Sequence, residues 1–103
     1  MQDRELSFPS VEALHAFVHQ TLCASENLLE DQFRTRQLPL FSNGQLCAVE
    51  YSLAGPRAIR LGAIWAVDPN VLYFYDASGE RTNKIRLTSR PPVDALVQEN
   101  KVA

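Results

Sequence analysis

The chain is 103 residues long, 46% hydrophobic and 21% charged, with a formal net charge of −2. That length and apolar content fit one globular domain spanning residues 1–103, leave no room for a second of similar size, and exclude a disordered chain. The 10 basic and 12 acidic side chains lack the basic excess of a nucleic-acid binder. No apolar run approaches the roughly 18 residues that a membrane span needs.

Residues Met1 to Glu5 show neither the basic start nor the apolar core of a secretory signal, so the expected compartment is the cytoplasm. Ser10 opens the strongest element, a helix over about residues 10–26. Val11, Leu14, Val18 and Leu22 recur at helical spacing, with Phe17 and Thr21 widening the stripe that faces a core.

From about residue 32 the period falls to two and turn signals come at short intervals. Asn43-Gly44 tolerates the positive φ of a type I′ hairpin, and Gly55-Pro56, Asp68-Pro69-Asn70 and Ser78-Gly79 mark further turns. Strands are expected over residues 33–41, 45–53, 57–67, 71–76 and 81–88, with Pro39 marking the first as an edge or a broken strand. Connections this short force antiparallel neighbours. The tail, residues 89–103, either packs down, with one helical turn over 93–97, or frays at its end. The expected fold class is α+β: one helix on an antiparallel meander of four or five strands. That order resembles cystatin-like folds and, secondly, frataxin-like sandwiches, which are likenesses of fold alone.

Alternation divides the sheet into faces. Cys47, Val49, Tyr51 and Leu53 point one way, as do Leu61, Ala63, Trp65 and Val67. The reverse of the third strand carries Arg60, Gly62 and Ile64, and the fourth strand is apolar on both sides. One helix covers one face, so the other predicts a homodimer interface, or a surface for an unidentified protein partner. The interface is expected to involve Arg60, Gly62, Ile64, Leu72 and Phe74. The alternative is that the tail folds across that face.

Three constellations bear on chemistry. His15, His19 and Cys23 stand one turn apart on a helix flank with Glu12 and Glu26, a spacing that lets imidazole and thiolate share a zinc ion. The competing reading is one boundary histidine, one solvated histidine and a buried thiol. Cys23 and Cys47 fit no zinc-ribbon or redox spacing, and two reduced, buried thiols are expected rather than a disulfide. Tyr51, Trp65 and Tyr73 could line a small-ligand pocket between helix and sheet, or simply fill a core. Finally, Lys84, Arg86 and their neighbours form a basic stripe that reads first as edge protection, and Asp76 to Glu80 reads as hairpin chemistry.

No catalytic fingerprint is present, no cofactor is implied, and nucleic acid and membrane are not expected partners. The segments 55–65 and 74–81, with Gly55-Pro56-Arg57 and Asp76-Ala77-Ser78-Gly79, resemble small uncharacterised cyanobacterial proteins. That resemblance covers about a third of the chain, includes no catalytic motif, and implies a stand-alone protein. The function expected is a non-catalytic interaction or regulatory module. The alternative is a small-ligand-binding protein or enzyme.

Overall fold

The computed structural model describes residues 2–97. Strand β1 (Gln2–Leu6) leads into helix α1 (Val11–Ser25), and five strands follow: β2 (Thr35–Ser42), β3 (Gln45–Ala54), β4 (Arg60–Ala66), β5 (Val71–Tyr75) and β6 (Arg81–Leu87). They form one six-stranded sheet in the order β1-β6-β5-β4-β3-β2. The architecture is α+β, a helix laid on a sheet.

Helix α1 forms where the apolar stripe and the cap agree. The Ser10 hydroxyl accepts from the Ala13 amide at 3.0 Å, satisfying one orphan donor, and Glu12 stands in the first turn against the positive end of the helix dipole. Val11, Leu14, Val18, Leu22 and Cys23 are buried. They rest on Val49, Tyr51, Leu53, Leu61, Ala63, Trp65, Leu72, Phe74 and Ile85, which with Leu96 make one hydrophobic core. Trp65 is satisfied at its polar tip, since its Nε1–H donates to Asn70 Oδ1 at 2.9 Å.

The hairpins follow turn chemistry. Asn43 and Gly44 both take positive φ, at 53° and 78°, as a type I′ turn requires. The β3–β4 turn is less comfortable. Arg57 and Ala58 occupy left-handed φ values of 58° and 63° within the short helical turn Pro56–Ala58, so the third expected strand starts three residues late, at Arg60. Pro39 lies on an edge strand, β2, which runs unbroken through it.

The all-antiparallel meander of four or five strands is corrected in one respect. Strand β1 was not expected, and it pairs in parallel with β6, from Gln2↔Asn83 to Leu6↔Leu87. Its sequence, Gln-Asp-Arg-Glu-Leu, has no apolar alternation, because an edge strand with one mostly solvated side needs little. A sixth, parallel strand also departs from the cystatin-like order. Cys47 is corrected too. It is the extra residue of a β-bulge opposite Leu40/Phe41, and is exposed instead of buried.

The tail turns to the core side. Pro91 is fully buried, Val93 packs against the core, and Leu96 enters it from a single helical turn at residues 94–97. The expected fraying at Asn100 to Ala103 lies outside the described residues. No helix among the described residues is long and apolar enough to cross a membrane.

Candidate functional site

Register assigns every sheet residue to a side. The core side carries Tyr51, Ala63, Phe74 and, one row on, Val49, Trp65, Leu72 and Ile85. The other side carries three rows across five strands: Arg86, Val71, Ala66, Ala48, Leu40, then Lys84, Tyr73, Ile64, Glu50, Leu38, then Arg81, Tyr75, Gly62, Ser52, Arg36. Every described segment that packs on the core (α1, Phe8, Leu28, Phe33, Val93 and Leu96) does so from the first side. Side chains on the second face are half-buried or exposed among the described residues, save Val71 at 6%, so no covering layer spans it.

This open face is apolar at its centre. Ile64, Tyr73 and Tyr75 are half-buried, and Leu38 and Leu40 are two of the most exposed large hydrophobic side chains, at 54% and 38%. At Gly62 the face dips into a depression of about 410 Å3, walled by Glu50, Ser52, Arg60, Ile64 and Tyr75. The β4 backbone approaches β3 closely there, because a Cβ on Gly62 would stand 3.3 Å from the Tyr51 carbonyl oxygen. Beside the dip, the Arg81 guanidinium lies 4.1 Å from the centre of the Tyr73 ring and donates to the Tyr75 hydroxyl at 3.4 Å. Stacking of that kind holds both rings in place.

Of the five expected interface residues, Arg60, Gly62 and Ile64 lie on the open face. Leu72 and Phe74 do not. They are 0% and 2% exposed and belong to the core, while Tyr73 and Tyr75 take the open side. The expected ligand trio divides the same way. Tyr51 and Trp65 are wholly buried on the core side and Tyr73 is on the other, so the three do not line one cavity.

His15 and His19 come together at Thr35, at the start of β2, and Cys23 lies beside His19. His15 Nε2–H donates to the Thr35 carbonyl at 2.7 Å, and His19 Nε2–H donates to the Glu30 carbonyl at 2.8 Å. A carbonyl oxygen only accepts, so both rings carry a proton on Nε2. In the neutral ring, His19 Nδ1 then accepts from the Thr35 hydroxyl at 2.8 Å. The two histidines thus fasten α1 to the edge strand.

Both His19 nitrogens are engaged in that lock. Cys23 Sγ stands 3.7 Å from Nε2 without gaining a base, and burial, with Glu30 adding, pushes its thiol up. It is a poor nucleophile there. Glu12 lines an open groove of about 450 Å3 together with His15, His19 and Thr35, whereas Glu26 is the exposed cap beyond the helix. No group of three or more His, Cys, Asp or Glu side chains able to hold a metal occurs among the described residues.

Two polar atoms next to this lock lack partners among the described residues. Gln37 Oε1 and the Tyr51 hydroxyl are buried without hydrogen bonds, on residues that face one another across β2 and β3. The Tyr51 ring packs 5.4 Å from His15, and burial pushes its phenol far above the ordinary range. Asp76 holds the β5–β6 hairpin. Its Oδ1 accepts from the Ser78 hydroxyl at 2.6 Å and from the Ser78 and Glu80 amides at 2.9 and 3.0 Å, which lowers its carboxyl pKa.

Comparison with family models, with curated proteins and with solved structures finds no match.

Proposed function

We propose that the chain is a small non-catalytic interaction or regulatory module, acting in the cytoplasm, that self-associates through the open face of its sheet. The observation that carries the reading is a six-stranded sheet whose second face is apolar at its centre and uncovered among the described residues. Both sheet edges discourage the other route to association. Pro39 interrupts the donor row of β2, and β1 offers the charged pair Arg4 and Glu5.

The area suffices. Strands about 4.8 Å apart and roughly seven residues long at about 3.3 Å per residue make a six-stranded face of roughly 650 Å2. A copy docked across it buries roughly 1,300 Å2 in total, within the about 1,200–2,000 Å2 of stable interfaces. Tyr, Arg and half-buried aliphatic side chains at the centre with charges at the rim also match interface composition. The histidine lock, the unactivated thiol and the absence of a catalytic fingerprint in the sequence favour binding over chemistry.

Native mass spectrometry of the untagged protein beside sedimentation velocity tests this. The expected result is a dimer that Ile64→Arg converts to a folded monomer. A monomer at every concentration, or a stoichiometric small-molecule adduct on a monomer, overturns it.

A further inference from the structure

Resting on that reading, we infer that the partner is a second copy docked about a twofold axis parallel to the strands, running between β4 and β5. The open face is built in two unlike halves. On the β5 side the central residues are large, Tyr73 and Tyr75, and on the β4 side their neighbours are smaller, Ile64 and Gly62. Rotation about an axis between these strands exchanges them. Each Tyr75 ring then lies over the depression at the partner's Gly62, and each Tyr73 lies over the partner's Ile64.

Charge selects the same axis. The central row reads Lys84, Tyr73, Ile64, Glu50 across β6, β5, β4 and β3. An axis parallel to the strands brings Lys84 over the partner's Glu50 and, by symmetry, Glu50 over the partner's Lys84. An axis across the strands would instead set Lys84 over Lys84 and Glu50 over Glu50. Two opposite-charge contacts replace two like-charge contacts, and only the first arrangement is self-complementary. Sheets stacked face to face stand about 10 Å apart and cross at roughly 30°, so side chains of this length reach across. Arg81 contributes by holding the tyrosine rings before docking, which reduces the ordering cost of association.

The test is a dilution series by sedimentation velocity on the wild type, Glu50→Lys, Lys84→Glu and the double variant. Each single change places two like-charge contacts in the interface and is expected to weaken the dimer by about tenfold or more. The double variant restores it, and so does an equimolar mixture of the two single variants, which a folding defect in either could not produce. A wild-type dimer that neither single change weakens overturns the axis and leaves self-association standing. A wild type that never dimerises removes both readings together.

Discussion

Phe74 and Tyr75 are consecutive residues of similar size on β5, yet one is 2% exposed in the core and the other sits half-buried on the open face. The core side is finished within the chain: α1, Phe8 and the tail close over it, and Phe17 meets Phe74 edge-on at 6.2 Å. The open side has comparable apolar content at its centre and no such closure among the described residues. One face therefore stores the stability of the fold, and the other is the surface we propose for self-association. Composition alone does not separate them, because what differs is whether a second layer is attached.

Truncation on either side of β5 gives the strongest contrast. Phe74→Ala is expected to lower unfolding free energy by about 3–5 kcal/mol, the range for emptying a buried aromatic site. Tyr75→Ala is expected to lower monomer stability by less than about 1 kcal/mol, as exposed-side changes do, while removing the dimer. Urea unfolding of both, analysed with concentration dependence, checks the pair, and equal losses of monomer stability would erase the distinction.

A smaller effect concerns how the core side is fastened at its edge. His19→Ala strips a partner from the Thr35 hydroxyl and from the Glu30 carbonyl, with an expected loss of about 1–3 kcal/mol. Hydrogen exchange should show the loss concentrated in β2.

Tyr51 adds a pH term of known sign. Its phenol ionises near 10 when unfolded and far higher when buried, so only the unfolded state releases the proton between those values. Stability is full below pH 10 and falls above it by about 1.4 kcal/mol per pH unit from this group. Tyr51→Phe abolishes that slope and, by removing a buried hydroxyl without a partner, raises stability at neutral pH by about 1 kcal/mol. Chemical denaturation at several pH values reads both. At the smallest end, Asp76 titrates below its ordinary 3.8, and the Ser78 and Glu80 amide shifts should follow it. The hairpin is held above that range and loosens as pH falls through the lowered value.

What the sequence makes legible follows from how local each signal is. Ser10 and the Val11–Leu14–Val18–Leu22 stripe mark α1 almost to the residue, and Asn43-Gly44 marks its hairpin, because cap and turn are settled by adjacent residues. β5 is different. Val71-Leu72-Tyr73-Phe74-Tyr75 is apolar on both faces, so alternation cannot say which side meets the helix, and Leu72 and Phe74 were expected on the wrong one. The expected bounds, one strand to 67 and the next from 71, pair Trp65 with Tyr73. The turn closes one residue earlier, Asn70 N–H donating to the Val67 carbonyl, and so pairs Trp65 with Leu72. The open face itself could be inferred from one helix facing a two-sided sheet, whereas the histidine lock could not. His15 and His19 find Thr35 at sequence separations of 20 and 16, and nothing at helical spacing announces such a partner.

The parallel seam between β1 and β6 orders the folding of the chain in time. Gln2 pairs with Asn83, 81 positions further along the sequence, so β1 has no strand to join until β6 has been made. The hairpins from β2 to β6 close over short loops and form early, while the seam must close a loop of about 80 residues and so meets its entropy cost late. Until β6 is made β1 waits unpaired, and its charged residues Arg4 and Glu5 discourage pairing with the wrong sheet in the interval.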